Sequence, residues 1–144
     1  MTLPLGVHVR IFVCVVFMGV LVGVVFNAKA DITENEYIDA VKNGYVTNAT
    51  HVKVSDAFNR YFEEPYWRYY EAKTGQHVVE LSGNAVATGD EGYAIVQFVV
   101  DDNLETFSVG AMKFNDVVFE KEEKWQFVDQ VYKNWQDSHL AKQK

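Results

Sequence analysis

At Pro65 the hydrophobic period of this chain changes. Before it, Phe58, Tyr61 and Phe62 recur at helical spacings behind Ser55 and Asp56. After it, the alternation is strand-like, with Trp67, Tyr69 and Glu71 in one set and Tyr66, Arg68 and Tyr70 in the other. Period two persists to Phe114, broken by stretches rich in turn residues: Lys73–Gln76, Gly89–Gly92 and Asp101–Asn103. Between them lie His77–Ser82, continuing past Gly83-Asn84 to Thr88, then Tyr93–Val100, then Thr106–Phe114, which Asn115-Asp116 ends. Parallel strands need crossovers of a dozen residues or more, so hairpin-length connections restrict this region to an antiparallel meander.

Helices flank the meander. Thr33 followed by Glu36 predicts a capping box, and Tyr37, Ile38 and Val41 share a stripe. Asn43-Gly44 should end that helix, with Gly44 in the left-handed position. Ser55 should cap a second helix and Pro65 stop it. From Glu120 to Trp135 the residues Trp125, Val128, Tyr132 and Trp135 share a helical face, with Phe127 and Val131 at its border. The expected fold is α+β: two N-terminal helices, a three- to four-stranded antiparallel meander and a C-terminal amphipathic helix. It is expected to occupy residues 31–136 as one domain, followed by a flexible tail at 137–144.

Residues 1–30 read as a targeting segment. Arg10 precedes a continuous apolar run, Ile11–Phe26, and Ala28-Lys29-Ala30 has the small-x-small form of a cleavage site. Cleavage after Ala30 would make Asp31 the first residue. The competing reading is an uncleaved anchor in which residues 11–26 provide the only membrane contact; at 16 residues the run is shorter than the roughly 20 that span a bilayer. Either reading exports the rest of the chain, to the periplasm or the extracellular side.

Composition excludes several chemistries. The segment 1–30 holds two of the thirteen basic residues and none of the twenty acids, which leaves the remainder at −9. Such a surface repels nucleic-acid phosphates, and no basic stripe interrupts it. Cys14 is the only cysteine and lies in the apolar run, so the exported part offers no disulfide, thiol nucleophile or thiolate ligand. His51, His77 and His139 lack the spacing of a metal site, and no cofactor is expected. Ser55, Ser82 and Ser108 show no nucleophile pattern. The tripeptide Asn48-Ala49-Thr50 has the form of a glycosylation sequon, which occurs often by chance. Glu63-Glu64 at the predicted helix end faces the wrong end of the dipole, with Arg60 and Arg68 near enough to compensate.

The surplus is aromatic. Six of the ten residues Tyr61–Tyr70 are aromatic, and both faces of Tyr66–Tyr70 and of Tyr93–Val100 are apolar or aromatic. A meander packed on one face should be polar on the other. The candidate binding surface is therefore Tyr66, Trp67, Arg68, Tyr69 and Tyr70, with Glu80 beside Arg68 across the first hairpin. Its partner would be an envelope protein or a second copy of the chain. The alternatives are a small-ligand site or enzyme using Glu80, Arg68 and His77, and a membrane-anchored structural subunit.

The pattern Val41-Lys42-Asn43-Gly44, Val54-Ser55-Asp56-Ala57-Phe58, Phe62, Pro65, Trp67, Val78-Val79-Glu80, Gln97-Phe98 and Asp101 resembles a family of small bacterial exported or membrane-anchored domains of no established activity. The resemblance covers residues 37–116 and implies two helices followed by a meander. In element order alone the chain is similar to β-lactamase inhibitory proteins and small outer-membrane assembly lipoproteins. That likeness implies a non-enzymatic protein-binding module of the cell envelope, although the disulfides of the inhibitors and a lipobox are both missing.

Overall fold

A computed structural model describes residues 30–46, 49, 51–87 and 89–144. The apolar run Ile11–Phe26 and Asn48 of the sequon lie outside the described residues. Among those described, no helix is long and apolar enough to cross a membrane.

The described residues form helix α1 (Glu36–Lys42), helix α2 (Val54–Tyr61), strands β1 (Glu63–Glu71), β2 (His77–Ala87), β3 (Asp90–Val100), β4 (Phe107–Phe114) and β5 (Val117–Val118), and helix α3 (Lys121–Lys142). The strands make one antiparallel sheet in the order β1-β2-β3-β4-β5. The fold is thus α+β with a C-terminal helix, as the sequence predicts, with one strand more. That strand follows a two-residue turn in which Asn115 and Asp116 both have positive φ (47° and 68°). Asn and Asp tolerate this conformation, and it turns a strand back on itself instead of ending it.

Local signals place the helix ends differently from expectation. Asn35, not Thr33, caps α1: its Oδ1 accepts from the Ile38 N–H at 2.9 Å. Lys53 precedes α2 without a side-chain cap, and Ser55 lies within the helix. Gly44 is not left-handed. A Cβ there would lie 2.3 Å from Phe107 Cε1, so the residue is small because the β3–β4 side of the core passes close by. The α2 helix stops at Tyr61, and Glu63-Glu64 opens β1, which removes the expected conflict with the helix dipole. The strand begins with a bulge between Glu63 and Tyr66, with Glu64 at φ 50°. Opposite the bulge, Gly83 has φ 157°, and a Cβ there would come within 2.8 Å of the Glu63 carbonyl oxygen. Ala87 pairs with Asp90, so β3 already begins inside the stretch Gly89–Gly92 that the sequence marks as a turn.

The three described helices serve one face of the sheet. Phe58 sits at the centre, edge-on to Phe98 (5.7 Å between centroids) and Tyr132 (5.9 Å). Ile38 and Val41 from α1, Val54 and Ala57 from α2, and Val79, Leu81, Val96 and Met112 from the sheet complete this core. The α3 residues that enter it are Phe127, Val128, Val131 and Tyr132. Phe127 and Val131 therefore lie at the middle of its buried stripe, while Trp125 and Trp135 are only partly covered. A capping box of Glu120 and Glu123 starts α3. The helix continues through Lys142, so the segment assigned as a flexible tail is mostly its last two turns. Trp135 stacks on His139 at 3.7 Å along that extension.

A candidate interface on the far face of the sheet

Register divides the aromatic strand β1 between two environments. Trp67 pairs with Leu81, Tyr69 with Val79, and Val79 in turn with Phe98; these side chains point to the helices. Tyr66 pairs with Ser82, Arg68 with Glu80 and Tyr70 with Val78, and these point to the opposite, far face. Ile95, Gln97 and Val99 continue that face on β3, and Ser108 and Lys113 on β4. Among the described residues no helix packs on it.

Two residues of the predicted surface are corrected by this arrangement. Trp67 is 6% exposed and stacks on Phe98 at 6.0 Å. Its indole N–H donates to Asn59 Oδ1 of α2 at 2.7 Å, and Lys42 Nζ lies 5.6 Å from the ring centroid. Tyr69 stacks on Tyr37 of α1 and donates to or accepts from His77 Nδ1 at 2.7 Å. Both belong to the packing beneath the helices. Period two makes this unavoidable: five consecutive residues of a strand cannot share a face.

The far face is organised around a buried ion pair. Glu80 is 3% exposed. Its Oε1 accepts from Arg68 Nη2 at 2.8 Å and from Arg68 Nε at 2.9 Å. Its Oε2 accepts from Gln97 Nε2 at 3.3 Å, and the same amide reaches the Tyr70 hydroxyl at 3.0 Å. Burial pushes the Glu80 carboxyl above the usual carboxylate range, while Arg68, Gln97 and Tyr70 draw it back. Burial likewise raises the Tyr70 hydroxyl, with the Glu80 charge adding to it. The Arg68 guanidinium lies 5.3 Å from the Tyr70 ring centroid. At the β1 edge Asp31 Oδ2 accepts from the Tyr66 hydroxyl at 2.8 Å, a bond that raises the phenol, and Asp31 Oδ1 is 3.8 Å from Arg68 Nη1. An antiparallel bridge from Ile32 to Tyr69 holds this N-terminal segment against the strand. The pairing of Arg68 with Glu80 was legible in the sequence. Asp31 and Gln97 were not, because neither proximity follows from a motif.

His77, the third polar group of the alternative ligand site, is on the helix side. Its Nε2 lies 3.2 Å from Asp102 Oδ1 and 3.3 Å from the Tyr37 hydroxyl. The sheet therefore separates His77 from Glu80. Among the described residues no group of three or more His, Cys, Asp or Glu side chains is arranged to hold a metal ion.

At one end of the far face the sheet has a step. β1 starts at the partner of Asn84, while the β2–β3 hairpin runs on to Ala87 and Asp90. The step forms a recess of about 340 Å³ lined by Tyr61, Glu63, Asn84, Ala85, Val86, Glu91 and Gly92. The Tyr61 hydroxyl closes its floor by donating to the Val86 carbonyl.

No protein-family model, no curated protein and no solved structure matches this chain.

Proposed function

We propose that this protein is a non-enzymatic protein-binding module of the bacterial cell envelope, exported by residues 1–30, cleaved after Ala30, and engaging another envelope protein through the far face of its sheet. One observation carries the reading: no described helix covers a face that presents Tyr66 and Tyr93, 43% and 51% exposed, beside a fully paired Arg68–Glu80. Tyrosine and arginine are the usual anchors of protein interfaces. The hydrogen bonds among Arg68, Glu80, Gln97 and Tyr70 hold these groups in place before a partner arrives, which lowers the ordering cost of binding.

The test is site-specific photocrosslinking in the expressing cells. A photoreactive phenylalanine at Tyr66 or Tyr93 should give one discrete adduct each with the same protein. The same probe at exposed Gln130, on α3, serves as control. Equal adducts from Gln130, or none from the two tyrosine positions, would sink the reading. An adduct of twice the protein's own mass identifies the partner as a second copy. The mass of the isolated protein checks export separately, since cleavage leaves Asp31 first.

A further inference from the structure

We infer that the partner docking on the far face is basic at its contact, and that it places a lysine or arginine side chain in the step between Glu63 and Glu91. This rests on the protein-binding reading above and adds the chemistry of the partner. The charges at the middle of the face are satisfied internally: Arg68 contacts Glu80 and Asp31, and Lys113 contacts Asp116 at 3.4 Å. The charges at the step are not. Glu63 and Glu91 are exposed, and among the described residues they make no ion pair. Register puts both on the far face, Glu63 opposite Asn84 and Glu91 opposite Val86.

They flank a recess rather than a flat surface. Its volume, about 340 Å³, admits a long aliphatic side chain with a cationic head. Ala85, Val86 and the Tyr61 ring offer apolar contact to such a stem, which is how lysine and arginine prefer to be buried. The carboxylates and the Asn84 side chain remain for the head group. The net charge of −9 beyond residue 30 favours the same class of partner at longer range, and disfavours a second copy at this contact.

The experiment is a titration of the protein with N-acetylargininamide, followed by backbone amide NMR, with N-acetylglutaminamide as the uncharged control. Shift changes should centre on Glu63, Asn84, Glu91 and Tyr93, and should fade as salt is raised from 0.02 to 0.5 M. Glu63→Gln with Glu91→Gln should weaken binding about three- to tenfold, the range for two partly exposed ion pairs. Glu122→Gln, which removes an acid from the first turn of α3, should leave it unchanged. Shifts spread evenly over the acidic surface, or equal weakening by Glu122→Gln, would overturn the assignment. The cellular crosslink separates this proposal from the one it rests on. If the double glutamine variant keeps its adduct at Tyr66 and Tyr93 at full yield, a protein still binds the face and the basic anchor is wrong.

Discussion

Replacing Arg68 with methionine should be among the most damaging single changes on the far face, and its cost should depend on pH. The guanidinium gives the Glu80 carboxylate two donors, at 2.8 and 2.9 Å, and the Glu80 side chain is only 4% exposed. Removing one partner of a buried pair costs about 3–5 kcal/mol. Here Glu80 keeps a neutral donor in Gln97 and can take up a proton, so we expect about 2–3 kcal/mol at pH 8. The carboxyl already titrates above its ordinary range in the folded protein, and Arg68 is the largest influence holding it down. Without Arg68 it rises further. A group raised on folding contributes stability that is fully present below its unfolded pKa and is lost as pH rises through its folded value. The penalty should therefore shrink on acidification, by roughly 1.4 kcal/mol for each unit of additional rise. Urea denaturation followed by far-UV circular dichroism, at pH 5 and pH 8, measures both numbers. Arg68→Met with Glu80→Leu removes the buried charge altogether and should return to within about 1 kcal/mol of the native protein. A single-variant penalty under about 0.5 kcal/mol, or one equal at the two pH values, would refute the account of Glu80 as a buried charge held by Arg68.

Three further outcomes follow from the packing. Trp67→Ala should cost about 3–5 kcal/mol in thermal or urea unfolding, because the ring is core; loss of partner binding with stability intact would return it to the interface. Gly44→Ala should cost about 1–3 kcal/mol, since the new methyl meets Phe107, and Phe107→Leu in the same chain should recover part of it in a double-mutant cycle. Tyr132→Phe should be neutral or stabilising by about 1 kcal/mol. Among the described residues its buried hydroxyl meets no hydrogen-bond partner; burial raises it, and the Val46 backbone only partly offsets this. A loss of more than about 1 kcal/mol for Tyr132→Phe would show that the hydroxyl is satisfied after all.

The sequence by itself determined the element order and the antiparallel connectivity. These follow from local signals: a hydrophobic period that switches at Pro65, and loops too short for crossovers. It also placed Arg68 opposite Glu80, because a hairpin turn with a known centre fixes the register on both sides. Helix ends were less legible. Asn35 and Thr33 are both competent caps, and the choice between them depends on where Ile38 and Val41 must point to reach the sheet. The fifth strand hung on Asn115 and Asp116 adopting left-handed backbone, which those residue types permit without requiring.

What only the tertiary structure decided is which side of the aromatic strand faces the helices. The two sets of β1 are almost equally rich in rings, so hydrophobicity could not rank them. The decision lies with residues distant in sequence. Phe98 and Leu81 draw Trp67 inward, and Tyr37 and His77 stack with Tyr69. Once those are buried, the alternation of the strand sends Tyr66, Arg68 and Tyr70 to the far face. The step between Glu63 and Glu91 is likewise a tertiary product: 28 residues separate its two acids, and only the unequal lengths of β1 and the β2–β3 hairpin bring them to one recess.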